Sequence, residues 1–469
     1  MNFPEKKQKI KELLSEGADE RIFLDDKGLT KYGISLINTE IINRGSCTAS
    51  PATSEDITLM DTLLKQHQDK TDWIKAEEYR SNQLKLWLNN EGEDLFEIFY
   101  APSGTDLFYY PPVFAKVLNT GKKIINVITC KEELGSGTPF AAEAKYYSNY
   151  NQFGEKVPKG KALLGHDELE TVFFNARSAD GLILNHDDKI KKLIYENPHN
   201  PVIVNLVYGS KSGISDNVKI IEKVDAPNVI WSIDMCQLRH QRKIIRLMLK
   251  RNAMVMITGS KFYQAPPFCA AILVPKGLSE KIINAGNWTH VRQFGSIFSN
   301  YDLPAELRNK VDFPDKLNIS GSLRWAITVN EINDYYNLGF ERSEHIIDCW
   351  NQVMLDEIRK IDEFELMPSQ ELTNKTIISF RLKANGGYLN HKQLKDLHKS
   401  IVTDDYSTLF GIKALFIGQP VAYENKSFLR VAIGSKNIRN FAEKDEKAFE
   451  LDKKILKVIR YKLKEMYGD

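Results

Sequence analysis

The sequence contains no CxxC pair. Its five cysteines, Cys47, Cys130, Cys236, Cys269 and Cys349, are widely spaced and odd in number. A structural zinc site and a disulfide scaffold are both unsupported, and free thiols in a reducing compartment are the simplest reading. Net charge is almost absent: 64 Lys and Arg stand against 62 Asp and Glu, leaving +2. Nothing global argues for nucleic acid or an anionic membrane surface as a partner. Long apolar runs are missing too. Phe268–Val274 is among the longest, far too short to span a bilayer. The opening MNFPEKKQKIKELLSEG carries charge but no apolar stretch, so no secretory signal is expected and the expected location is cytoplasmic. There is no internal repeat and no block of like charges. What remains, 42% hydrophobic and 27% charged over 469 residues, is an ordinary globular composition with apolar mass for a large core.

From residue 96 onward, apolar segments alternate with helical patterns. Phe96–Tyr100, Ile124–Cys130, Val172–Asn175, Pro201–Tyr208, Val229–Ile233, Ala253–Thr258 and Ala270–Val274 read as strands. Strands that are apolar throughout are buried on both faces, which implies a mainly parallel sheet covered by helices. The expected class is α/β, with a three-layer large domain over 71–320. After about residue 320 the texture changes. A helical stretch over 325–361, strands at Thr376–Leu382, Ala414–Phe416 and Phe428–Ile433, and a Lys/Glu-rich helix over 441–466 predict a small α+β C-terminal domain over 321–469. Residues 1–70 read as an N-terminal segment: an amphipathic helix over 1–16, then an arm whose stretch 40–57 is rich in Gly, Ser, Thr and Pro and reads as a loop.

In open α/β sheets, ligands sit outside the carboxyl ends of the strands, and the polar insertions of this chain fall there. Two motifs at those ends fail. GSKSG at 209–213 lacks the glycines a phosphate-cradling P-loop needs around its lysine. GSGTPF at 135–140 has Phe140 where a dinucleotide fingerprint needs its third glycine. A third constellation does better. Asp234 ends one strand, Gln237 follows three residues on, and Lys261 ends the next strand. An amine and a carboxylate at neighbouring strand tips suit an aldehyde cofactor with a pyridine ring: the amine forms a Schiff base, and the carboxylate keeps the ring nitrogen protonated. The plain alternative is a strand-end ion pair. Ser103, Gly104 and Thr105 sit where a strand feeds a helix, a place for a phosphate or simply for a capping turn. Arg430 lies inside the apolar strand FLRVAIG. It would either meet an anion, such as an amino-acid carboxylate, or lie on an edge strand facing water.

The order Ser-Gly-Thr, Asp-x-x-Gln, then GSKFYQAPPF resembles the fold-type I pyridoxal-phosphate enzymes, and within them the class V aminotransferase and cysteine-desulfurase-like group. The resemblance covers 95–280 well and 370–435 more loosely. It implies pyridoxal 5'-phosphate as cofactor, no metal, and an amino acid as substrate. Lys261 would be the Schiff-base lysine and proton shuttle. Asp234 would pair with the ring nitrogen, Gln237 with the ring oxygen, and Gly104 and Thr105 with the phosphate, helped by Ser103 and by Thr258 or Ser260. Arg430 would hold the substrate carboxylate. The family's ring-stacking His is absent, and Glu133 stands at the matching spacing; the family's Asn near the ring is replaced by Ser210.

A desulfurase needs a mobile-loop cysteine. Cys349 falls in a helical pattern and reads as buried, while Cys47 lies in the arm, so persulfide chemistry is not expected. Tyr109, Tyr110, Trp288 and His290 are pocket or interface candidates, and the arm over 44–56 could close the site. The resemblance also implies a homodimer with sites at the subunit interface. Transamination is the expected reaction. A lyase or a carbon–carbon or β/γ-substitution enzyme is the alternative, and a catalytically silent scaffold subunit is a reading of another class.

Overall fold

The computed structural model describes residues 3–46, 49–239, 241–369, 374–423, 426–444 and 448–468. Three arm residues, Ile42–Arg44, form strand β1. Seven strands follow: β2 (Phe96–Ala101), β3 (Ile124–Ile128), β4 (Leu169–Phe173), β5 (Val202–Val207), β6 (Val229–Asp234), β7 (Met254–Thr258) and β8 (Ala270–Pro275). They build one sheet in the order β2-β8-β7-β6-β5-β3-β4. Strands β3 to β7 pair in parallel with one another, and β8 runs antiparallel to both of its neighbours.

Every residue of β3, β5, β7 and β8 is buried. The alternation of side chains along a strand then divides the interior in two. Ile125 and Val127 share one core with Ile245 and Met248 of the helix Arg242–Lys250. Ile124 and Ile128 face the other core with Val113 and Phe114 of the helix Tyr110–Leu118. This is the three-layer arrangement expected from continuous apolar runs.

Between β3 and β5 the strand order reverses. The chain steps out to β4 and then returns to the other side of β3. Loops leave such a switch point in opposite directions, which opens a crevice at the strands' carboxyl ends.

A second sheet is built from β9 (Phe364–Leu366), β10 (Ile377–Ala384), β11 (Gly387–Tyr388), β12 (Leu415–Tyr423) and β13 (Lys426–Ala432). Its order is β1-β12-β13-β10-β11, with β9 also on β10. The arm strand β1 therefore pairs, in parallel, with a strand from the far end of the sequence, Ile42 opposite Leu415. A buried ion pair holds it there. Arg44 Nε and Nη2 donate to the two carboxylate oxygens of Asp452 at 2.6 and 2.9 Å, and Trp350 Nε1 donates to the same carboxylate at 3.1 Å.

Three expectations change in detail. The stretch over 325–361 is two helices, Ile319–Asn337 and Phe340–Arg359, broken at Gly339, whose φ of +86° favours glycine. The closing helix is likewise two, Ser435–Ala442 and Glu450–Tyr467. The loop reading of 40–57 is corrected at both ends. It contains β1, and its last residues start the helix Ser54–Gln66, where Thr53 and Asp56 cap each other's backbone N–H. Among the described residues no helix is long and apolar enough to cross a membrane.

Candidate active site

Loops leaving β2, β3, β5, β6 and β7 enclose a cavity of about 820 Å³ at the carboxyl ends of the strands. Strand β6 ends on Asp234, and the loop leaving its neighbour β7 delivers Lys261 to the same space. The intervening turn needs Gly259, because a Cβ there would lie 1.9 Å from Thr328 Oγ1. Asp234 is 9% exposed, and its Oδ1 accepts the Cys236 N–H at 2.8 Å. Both Asp234 and Lys261 line the cavity, and among the described residues neither makes an ion pair. The simple strand-end pair is therefore not what these two groups form: they face a shared space. Gln237 lies beside them with its amide fixed at both ends. Its Nε2 donates to the Ser46 carbonyl at 3.0 Å, and its Oε1 accepts Arg239 Nε at 3.0 Å.

The same cavity holds a cradle of small residues. Ser103, Gly104 and Thr105 follow β2, and Gly135, Ser136 and Thr138 follow β3; all line the cavity. A Cβ on Gly135 would sit 3.2 Å from Thr105 Oγ1 and 3.3 Å from Thr138 Oγ1, so the bare glycine keeps open a space flanked by two hydroxyls. Ser103 is committed differently. Its N–H and hydroxyl both donate to Asp106, at 2.9 and 2.7 Å, and its oxygen accepts Arg21 Nη2 at 2.9 Å. Arg21 comes from the arm. Asp19 holds it at 2.7 and 2.6 Å, and it lies over the rings of Tyr147 and Phe268.

Burial, reinforced by the charge of Asp19, pushes the Asp106 carboxyl up to about 6. The folded chain thus holds that proton to higher pH than the unfolded chain, whose carboxyls titrate near about 4. The resulting stabilisation is complete below about pH 4 and is lost as pH rises to about 6. Thermal melts across that window are expected to show the native protein losing stability as pH rises and Asp106→Asn losing less. Equal slopes would rule Asp106 out as the cause.

Arg430 is 1% exposed, on β13. Its Nη1 donates to the Lys211 carbonyl at 3.1 Å, and its side chain crosses Gly418 of β12, the residue opposite it in register. A Cβ on Gly418 would lie 2.3 Å from Arg430 Cγ and 2.8 Å from its carbonyl oxygen. Gly418→Ala is therefore expected to cost about 1–3 kcal/mol by overpacking and to displace the guanidinium. Denaturant melts read the first effect, and weaker binding of a small carboxylate reads the second.

The other candidates fall in different surroundings. Glu133 and Ser210 line the cavity, but their polar groups are engaged with each other and with neighbours. Glu133 accepts from Arg177 Nε at 3.2 Å, from the Ser212 N–H at 3.0 Å, and from the hydroxyls of Ser212 and Ser210. Four donors thus fix this carboxylate at the cavity wall. Thr258 and Ser260 do not line the cavity; the Thr258 hydroxyl instead donates to the Cys236 carbonyl at 2.7 Å. Tyr109, Tyr110 and Trp288 are core residues, with Tyr110 stacked on Phe298 at 4.2 Å, and His290 is exposed. Cys349 is half-buried on its helix rather than buried, beside His345. Cys47 lies outside the described residues.

Residues that sequence reasoning missed complete the walls. Arg21, Lys31 and Tyr32 come from the arm, and Lys131 and Lys211 from strand-end loops. His391, Lys395 and His398 come from the helix His391–Thr403. The last three carried a signal, since their spacings of four and three place them on one helical face. Burial, with Arg430 nearby, pushes His398 down to about 4, so it is neutral at neutral pH. Among the described residues no cluster of His, Cys, Asp and Glu is arranged to hold a metal ion.

No protein-family model matches the sequence, and no curated protein does. Solved structures do match. Ureidoglycine-glyoxylate aminotransferase from Bacillus subtilis is 13% identical with a TM-score of 0.56, over 89% of this chain and 92% of its own. Phosphoserine aminotransferase from Cytophaga hutchinsonii is 13% identical with a TM-score of 0.53, over 91% and 99%. The 4-hydroxyphenylacetaldehyde synthase of Rhodiola rosea is 10% identical with a TM-score of 0.56, over 98% and 96%. This chain shares the fold of these proteins, which is the fold that the resemblance of its motifs implied.

Proposed function

We propose that the protein is a pyridoxal-phosphate-dependent enzyme acting on an amino acid, and specifically an aminotransferase. The observation that carries this reading is that Asp234, at the end of one strand, and Lys261, in the loop leaving the adjacent parallel strand, line one cavity without pairing with each other. The residues present suit the cofactor: an amine, a carboxylate, a fixed amide, and a cradle that Gly135 keeps open between two hydroxyls. Bound there, the cofactor would supply an aldehyde for an amine and an electron-withdrawing ring.

The chain's own groups would do the rest. Lys261 would hold the cofactor through its amine, and the same amine would move the proton at the substrate α-carbon. Asp234 would keep the ring nitrogen protonated, and Gln237 would meet the ring oxygen. Gly104, Thr105 and Thr138 would hold the phosphate. Arg430 orients the substrate through its carboxylate, a pairing that a buried guanidinium favours. This reading includes a cytoplasmic homodimer, with the partner contributing to the cavity wall.

The test is a titration of the purified protein with pyridoxal 5'-phosphate, followed by addition of amino acids and a 2-oxo acid. A near-visible absorbance band and transfer of the amine to the 2-oxo acid are expected. A band with release of ammonia or carbon dioxide, and no transfer, would make the protein a lyase. Absence of any band would favour a silent scaffold.

A further inference from the structure

A side-chain amide can lie either way round, and its partners decide which. The two partners of Gln237 leave no choice. The Ser46 carbonyl can only accept, and the Nε–H of Arg239 can only donate. Nε2 therefore turns to Ser46 and Oε1 to Arg239. Nε2 carries two hydrogens, and among the described residues only the one on Ser46 is used. Gln237 lines the cavity, so its amide has a donor left for whatever the cavity holds.

Arg239 is built into place from several sides. It is 8% exposed. Its Nη1 donates to Thr376 Oγ1 at 2.9 Å and to the Ile433 carbonyl at 2.5 Å, just before β10 and just after β13. Its own carbonyl accepts Asn374 Nδ2 at 2.9 Å. Its guanidinium lies 5.6 Å from the ring centre of Phe262, the residue after Lys261. Between Gln237 and Arg239 stands Leu238, whose φ of +50° is a left-handed conformation that leucine rarely adopts. Strain of this kind persists only where the surroundings impose it, and it gathers at functional sites.

We propose that Arg239 is a positioning residue for the reaction: by holding Gln237 Oε1 it fixes an N–H donor for the cofactor's ring oxygen and keeps that oxygen ionised. This inference rests on the proposed function for the presence of that ring. A cation on Oε1 polarises the amide and strengthens its N–H as a donor, as linked hydrogen bonds do. A donor favours the ionised form of the oxygen that accepts it, so that oxygen gives up its proton at lower pH. Without Arg239 the amide loses both the polarisation and one of its two supports.

The test is a pH titration of the near-visible absorbance of the cofactor-loaded protein. The midpoint is expected to rise by about one pH unit in Arg239→Met. Gln237→Met is expected to give a similar rise, and the double variant no further rise, since both remove one donor. The charged groups that share the cavity are the same in every variant: Asp234 and Lys261 at the strand ends, Glu133 and Lys211 on neighbouring loops, and Arg430 on β13. Should Arg239→Met fail to fold, Arg239→Lys keeps a cation but not the Nε–H that reaches Gln237, and a smaller rise is expected. Midpoints equal to the native one in the Arg239 variants, with only thermal stability lowered, would make Arg239 purely structural and overturn the inference while the proposed function stands. An unchanged midpoint in Gln237→Met overturns it as well, and so do shifts that add in the double variant, since the two residues then act separately. A native protein that gains no band overturns the proposed function, and this inference with it.

Discussion

Lys261→Ala is expected to abolish the near-visible band of the cofactor-loaded protein and to lower amine transfer by at least about a thousandfold. Two roles would disappear with one amine: the covalent hold on the cofactor and the base at the substrate α-carbon. The other lysines lining the cavity come from elsewhere in the chain: Lys31 from the arm, Lys131 and Lys211 from other strand-end loops, and Lys395 from a helix. The substitution should leave the fold intact, because Lys261 is only half-buried and the turn that delivers it is shaped by Gly259 against Thr328. An unchanged thermal melt beside lost activity is thus the expected pair of results. Asp234→Asn is the informative companion. It keeps the shape and can still accept the Cys236 N–H, but it gives up the charge that would keep the ring nitrogen protonated. A band that persists with slowed transfer separates these two roles. If Lys261→Ala retained full transfer, the assignment of this amine would be wrong.

The largest expected effect on stability belongs to Asp452→Ala. The carboxylate is 1% exposed, and it accepts both donors of a buried Arg44 together with the indole N–H of Trp350. Removing it strands a charged guanidinium in the interior, which costs about 3–5 kcal/mol. That is a large share of the roughly 5–15 kcal/mol that holds a domain folded. Denaturant unfolding reads this directly. The double variant Arg44→Met with Asp452→Leu is expected to recover much of the loss, because no charge is then left unpaired. A single variant as stable as the native chain would mean that water reaches the pair. The effect should also extend to the cavity, since β1 is followed by Ser46, whose carbonyl holds the Gln237 amide.

The residues that could be read from the sequence share a local cause. Asp234 stands where a continuously apolar strand ends, and Lys261 stands just past the end of the next, so periodicity alone placed both at one edge of a parallel sheet. Arg430 could be read because a charge inside FLRVAIG is anomalous. Sequence spacing alone gives less. Counting from Thr105 reached Glu133, but a count does not reveal that Arg177, Ser210 and Ser212 converge on that carboxylate. Gly135 and Thr138 sat in a motif set aside for lacking a dinucleotide fingerprint, although the same loop lines the cavity. Arg21 and Lys31 carried no signal at all. Their place in the wall depends on tertiary contacts of the arm that no periodicity encodes. The break at Gly339 was missed because helical spacing resumes immediately on its far side.

The pairing of β1 with β12 also bears on how the protein is made. Ile42 leaves the ribosome 373 residues ahead of Leu415, the residue it pairs with. Until then the arm has no strand to join, and a nascent chain must carry that short β-edge uncovered. Any product cut short before β12 would retain Asp234, Lys261 and the seven-stranded sheet, yet would have neither a docked arm nor Arg430. Such fragments would be prone to edge-to-edge association, with a half-built cavity open to water.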